Sequence, residues 1–389
     1  MYMYLVPFLH HAGTTYLDHA GATLYSSQQL EEHMKDLASH LYGNPHSQNP
    51  SSLLSTDSID GIRELVLNHF NTDSTHYDIV FTSGCTAALK LLAESFPWSR
   101  ADINLRTTQQ SIANNEENDH QTETQLTSSS EGNTCHTGMR SLEDSHHSGN
   151  LTNEPQQTKV MYLPDTQMMK EGGSDESFHT VTDDGSSVFC YLEDNHTSVV
   201  GMRELARHHG ARIICTAHKN IQLLDSTENQ STIARCTDLQ TQTRFHLFAY
   251  PAQSNFSGQK YPLSWSNDLP SGKVCISGLE DLPGSWMVVL DAASHVCTSP
   301  LDLSSNPAQF VTLSFYKMFG YPTGLGALLV RNDCAHLLGK DYYGGGTVLA
   351  TVSRTGFHVP RPQLHDRYCI AVTTGLLKVN NYLDNSEQV

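Results

Sequence analysis

The chain has 389 residues, 38% of them hydrophobic, with 23 basic residues against 41 acidic ones and a net charge of −18, enough apolar material for two domains with a real core. No basic patch offsets the acidity, which argues against a nucleic-acid partner, and no run approaches the ~18 apolar residues of a membrane span. Nine cysteines are scattered singly without a C-x-x-C pair and the 22 histidines form no ligand-spaced cluster, so no metal site or disulfide framework is expected; without a secretory leader the thiols are expected to be reduced, in the cytoplasm.

In chain order, residues 16–23 (Tyr-Leu-Asp-His-Ala-Gly-Ala-Thr) are a brief apolar start that breaks into small residues. Ser26 or Ser27 then caps a predicted helix whose apolar stripe is Leu30, Met34, Leu37 and Leu41, with Gly43 as its stop. After the loop 43–47 a second amphipathic helix carries Ile59, Ile62, Leu65 and Val66. Short buried runs follow, at 79–82, 188–192, 211–215, 245–250, 286–290, 310–313 and 327–330. Seven such runs, alternating with polar or helical segments, predict an α/β fold with a mostly parallel sheet covered by helices on both faces.

Two stretches interrupt this pattern. Residues 101–187 hold 15 acidic and 4 basic residues, a net of −11, with few large apolar side chains. Such a segment cannot bury enough surface to offset its ordering entropy, so a disordered surface insertion is expected there, and a smaller one over 225–243.

The chemistry gathers at the ends of the buried runs, the edge where open α/β sheets bind ligands. Ser83-Gly84-Cys85-Thr86 opens a helix, so its amides, with Cys85 and the Thr86 hydroxyl, can hold a phosphate; an ordinary strand-to-helix turn is the plainer reading. His196 follows the run at 188–192 and can stack on a flat ring or move protons, or be a loop residue. Asn255 follows the run at 245–250 as a donor or as a turn asparagine. Asp291 leaves a buried run and is costly there unless paired, for which a pyridinium nitrogen or a helix N-terminus would serve; Ser294 lies three residues on. Within 313–326, Ser314 and Lys317 sit between two apolar runs, where the amine can form a Schiff base with a carbonyl cofactor and the hydroxyl can bond its anionic group. Gly346 and Thr347, in a Gly-Gly-Gly-Thr run, offer a further anion donor or a flexible loop. Taken together, these residues describe a pyridoxal 5'-phosphate site.

Residues 16–23, 42–47, 194–203 and 314–326 are long, specific motifs. Through them the chain resembles the class V aminotransferase and cysteine desulfurase group, and within it the eukaryotic molybdenum cofactor sulfurases, from about residue 14 to 367. The resemblance implies the type I fold of pyridoxal-phosphate enzymes, with residues 1–56 in the small lobe, 57–367 as the large cofactor-binding domain and 368–389 as a divergent tail, expected to be unrelated sequence of a truncated or alternatively spliced product. It implies that Lys317 is the Schiff-base lysine, Asp291 the partner of the pyridine nitrogen and His196 the stacking residue. Thr86 and Ser314 become phosphate ligands, and Gly346 and Thr347 reach the neighbouring subunit's cofactor in a homodimer. The implied substrate is L-cysteine, whose sulfur is taken by a protein thiolate to form a persulfide and is passed finally to the molybdenum cofactor. Tyr316 departs from the histidine that usually precedes the lysine in desulfurases. Two other readings stay open: a transaminase or lyase acting on another amino acid, and a chain that binds the cofactor or dimerises without turning over.

Overall fold

A strand buried on both faces has no solvent side to pattern for, so it reads as a continuous apolar run. In the computed structural model, which describes residues 15–99, 183–224, 244–320 and 324–368, all seven such runs become strands of one sheet. These are β1 (Tyr77–Thr82), β2 (Val188–Leu192), β3 (Arg212–Thr216), β5 (Phe245–Pro251), β7 (Ser285–Asp291), β8 (Phe310–Ser314) and β9 (Gly326–Arg331). Their order is β1-β9-β8-β7-β5-β2-β3. The pairs from β3 through β2, β5 and β7 to β8 are parallel, while β9 runs antiparallel to both β8 and β1. Residues 315–325, which join β8 to β9, are too few for the crossover of a dozen or more that a parallel return requires. Two small antiparallel pairs lie outside the main sheet: β4 (Ile221–Leu223) with β6 (Val274–Ile276), and β10 (Val348–Thr351) with β11 (His358–Pro360).

Successive side chains of each strand face opposite sides, which splits the core in two. On β5, Phe248 and Tyr250 pack in the layer that holds Ile59, Ile62 and Val66 of the helix α2 (Pro50–His69). Leu247 and Ala249 pack in the other layer, with Ala88, Leu89 and Leu92 of α3 (Cys85–Ser95). The expected helix cover on both faces is therefore present.

The first helix departs from its sequence pattern. α1 (Ser27–Ser39) starts at Ser26 with a full capping box to Gln29, but it ends at His40, before Gly43. Met34 and Leu41, expected in a buried stripe, are exposed. Of the expected insertion 101–187, residues 101–182 lie outside the described residues, as do the expected insertion 225–243 and the tail from residue 369 onward. The end of the first insertion belongs to the fold: Arg244 pairs with Asp183 at 2.6 Å, and the Arg212 amide donates to the Ser187 carbonyl at 2.9 Å. Tyr368, the first residue of the expected tail, is buried in the α3 layer. Among the described residues no helix is long and apolar enough to cross a membrane.

Candidate active site

The ends of β2, β5, β7 and β8, together with the turn into α3, border a small cleft of ≈ 60 Å³ that opens to solvent. It is lined by Cys85, Thr86, His196, Ser198, Pro251, Gln253, Asn255, Asp291, Ala293, Ser294, Ser314, Tyr316 and Lys317. Eight residues singled out by sequence thus share one cavity: Cys85, Thr86, His196, Asn255, Asp291, Ser294, Ser314 and Lys317. Gly346 and Thr347 do not line it. They belong to a turn in which the Gly344 amide donates to Thr347 Oγ1 at 3.0 Å, and the ring of His46 fills the space that a side chain at Gly346 would need.

The turn before α3 is tied across the sheet. Gly84 is the N-cap residue and caps no amide with a side chain; the first amide, Cys85 N–H, donates instead to Ser314 Oγ at 2.9 Å. Ser314 therefore fixes the mouth of this helix, and the amides behind it keep the positive end of the helix dipole at the cleft. Thr86 Oγ1 and Ser198 Oγ are 2.7 Å apart. Ser198 also donates its backbone N–H to His196 Nδ1 at 3.1 Å. With Nδ1 accepting that bond, a neutral His196 carries its proton on Nε2.

Asp291 ends β7 and is 7% exposed. Its Oδ1 accepts the Ala293 amide at 3.0 Å and the Cys85 thiol at 3.4 Å. Burial pushes the carboxyl above its ordinary range, against the pull of those two bonds and of His196 and Lys317. The Cys85 thiol is shared with Thr312 Oγ1 at 3.3 Å; burial first, and the Asp291 charge second, push it well up. Lys317 stands on a five-residue helix, α7 (Phe315–Phe319), entered directly from β8, and Tyr316 lines the cleft beside it. The helices α4 (Thr197–Val200), α5 (Met202–His208) and α6 (Trp265–Asp268) precede it in the chain.

Two further residues bear on the shape of the cleft without being marked in the sequence. Gln253, two residues beyond β5, lines the cleft with its buried Oε1 unpartnered among the described residues. Asp194 fixes two walls at once: Oδ1 accepts Ser254 Oγ at 2.8 Å, and Oδ2 accepts Ser257 Oγ at 3.0 Å and the Tyr261 hydroxyl at 2.9 Å. It thereby holds the loop that carries Gln253 and Asn255 against the turn that carries His196. An aspartate two residues before a candidate histidine was the available signal, but its partners lie 60 to 67 residues away. Among the described residues no group of histidine, cysteine, aspartate or glutamate is arranged to hold a metal ion.

Residues 15–120 and 279–378 match the aminotransferase class-V family. The chain is 40% identical over 357 residues to the molybdenum cofactor sulfurase of Homo sapiens, covering 92% of this chain and 30% of that protein. It is 35% identical over 366 residues to the molybdenum cofactor sulfurase of Oryza sativa subsp. japonica, covering 89% and 34%. The chain thus spans about a third of the length of these relatives. In fold it is similar to the cysteine desulfurase CsdA from Escherichia coli, with a TM-score of 0.53 at 15% identity over 96% of this chain and 68% of that one. A complex of the cystine C-S lyase C-DES with cysteine persulfide also has a TM-score of 0.53, at 13% identity over 96% and 73%.

Proposed function

The chain belongs to the class V aminotransferase family, and on that footing we propose that it is the aminotransferase-like part of a molybdenum cofactor sulfurase, taking sulfur from L-cysteine with pyridoxal 5'-phosphate. The observation that carries this reading is Asp291. A carboxylate buried at a cleft wall, with its pKa raised and both hydrogen bonds on Oδ1, suits a protonated ring nitrogen, which would return the charge balance that burial removes. The rest of the donor set fits the same group. The α3 N-terminus and Thr86 suit its phosphate, the His196 ring its face, and Asn255 and Ser294 its polar edge.

When bound, the cofactor supplies an electron sink for the charge that develops at the substrate Cα. Lys317 Nζ holds the cofactor and moves the proton at that carbon. Asp291 keeps the proton on the ring nitrogen. Ser314, through the Cys85 amide, keeps the phosphate end of the cleft in shape, and Asp194 orients the two loops that border the ring. In the reading we favour, the sulfur passes to a protein thiol, leaving L-alanine, and onward to the molybdenum cofactor, in a cytoplasmic homodimer.

One observation favours a second reading, a C–S lyase that needs no accepting thiol. Burial pushes up the thiols of Cys85, Cys190, Cys215, Cys275, Cys297 and Cys334, so none of these six is a ready thiolate. Borohydride reduction with peptide mapping, followed by product analysis with L-cysteine, decides the matter. A pyridoxyl adduct on Lys317, and alanine that is lost in Lys317→Ala, supports the proposal. An adduct elsewhere overturns the assignment, and pyruvate with free sulfide in place of alanine favours the lyase.

A further inference from the structure

A five-residue helix closes little of its own backbone, and the carbonyls of its last turn must find partners elsewhere. In α7 the cap bond runs from the Gly320 amide to the Tyr316 carbonyl at 2.9 Å. The carbonyl of Lys317 itself accepts the Thr23 hydroxyl at 2.6 Å. That of Phe319 accepts Gln29 Nε2 at 3.0 Å. Both donors come from the opposite end of the chain, 294 and 290 residues away.

Gln29 is fixed at its other end as well, because its Oε1 accepts the Ser26 amide in the capping box of α1. One side chain therefore starts α1 and finishes α7. Backbone contact completes the brace: Gly320 turns at φ 77, and a Cβ there would stand 2.5 Å from the Thr23 carbonyl oxygen and 2.7 Å from the Tyr25 amide. Residues 23–25 lie flat on the turn that ends the lysine helix, and only glycine admits them.

We propose that Thr23 and Gln29 are positioning residues for Lys317: they tie off the carbonyls of its helix and thereby fix the backbone from which its amine reaches. The inference rests on Lys317 being the cofactor-bearing lysine, and it names a part of that site which does not touch the cleft. A lysine amine sits on a four-carbon stem, so drift of an unfastened helix end passes directly to Nζ, and a site loosened by about 1 Å loses its function.

The test uses the full chain and two readouts. Hydrogen exchange of peptides covering residues 315–320, followed by mass spectrometry in cofactor-free protein, reports the brace without any cofactor. The rate at which the borohydride-trapped adduct forms after cofactor is added reports its effect on the amine. Thr23→Val, which keeps the shape and removes the donor, is expected to speed exchange on the order of 3- to 10-fold, the factor that one net hydrogen bond is worth, and to slow adduct formation in parallel. Thr23→Ser is expected to restore both to wild-type values. Gln29→Leu, which leaves Thr23 in place, is expected to act in the same direction and serves where Thr23→Val fails to fold. Unchanged exchange in both Thr23→Val and Gln29→Leu overturns the proposal, as does faster exchange with an unaltered adduct rate. Absence of any adduct at Lys317 in the wild type sinks the functional reading instead, while the exchange comparison still decides the brace.

Discussion

The strands that end at the cleft and the N-terminal segment that braces its lysine are held by different means. Phe248, Tyr250, Leu290 and Leu313 are fully buried, in an apolar layer built from the sheet, from α2 and from the segments that cover it, where the Tyr250 ring meets Trp265 of α6 at 5.6 Å. On the N-terminal side Leu17 is 86% exposed, Met34 63% and Leu41 78%, and the long-range bonds of Thr23 and Gln29 go to backbone carbonyls. Burying a large apolar side chain contributes about 1.5–3 kcal/mol, and a typical hydrogen bond about 1 kcal/mol net. The cleft floor is therefore part of the folding core, whereas the brace can loosen while the core stays intact.

The largest expected effect tests the floor. Phe248 lies on the interior strand β5 and stacks on Tyr250 at a ring separation of 5.5 Å. Phe248→Ala is expected to destabilise the protein by about 3–5 kcal/mol, the cost of deleting a buried aromatic ring and leaving a cavity. Urea unfolding followed by circular dichroism measures it. A loss below 1 kcal/mol would mean that this layer is loosely packed and that the contrast with the N-terminal segment is false.

The same contrast explains what the sequence disclosed. All seven strands of the main sheet were legible because each carries an apolar run, largely buried in every strand except the edge strand β3, which is partly exposed. β4, β6, β10 and β11 were not, because they are three or four residues long and, β6 apart, partly exposed. The direction of β9 depends on the length of its connection rather than on its residues. The stripe on α1 misled, since periodicity tells which residues can face a core, and not whether this chain supplies one. At the cleft, the rule that ligands bind beyond strand ends brought eight residues together. It could not find Gln253 or the triple acceptor role of Asp194, which follow from tertiary contacts. Gly346 and Thr347, expected to serve a neighbouring subunit, lie outside this cleft.

An intermediate effect concerns how the strands are held together at their starting edge. His246 is buried in β5, accepts the Val188 amide on Nδ1 at 3.0 Å and bonds the Pro283 carbonyl through Nε2 at 3.1 Å. Burial pushes its pKa from 6.5 down to about 4. Between those values the unfolded chain binds a proton that the folded one refuses, so its contribution is present above pH 6.5 and is lost as the pH falls toward 4. The expected loss over that window is on the order of 2–3 kcal/mol. Urea titrations at pH 7 and pH 4.5 on the wild type and on His246→Gln check it; the variant should be less stable at pH 7 and show a shallower decline. Equal slopes in the two proteins would assign the acid sensitivity to other groups.

The smallest expected effect sharpens the comparison from the other side. Met34 and Leu41 would lose little by becoming polar, because most of each side chain already meets water. Met34→Gln and Leu41→Gln are each expected to change stability by less than about 0.5 kcal/mol, the range of ordinary surface substitutions. A larger cost would mean that this face is covered in solution, and its dependence on protein concentration identifies the cover. In a homodimer that buries the stripe, the penalty falls as the protein is diluted and the wild type dissociates. A penalty that does not vary with dilution instead requires a partner surface within the same chain. The N-terminal segment would then be bound by burial, as the strands are, and the brace on Lys317 would no longer be the weaker of the two regions.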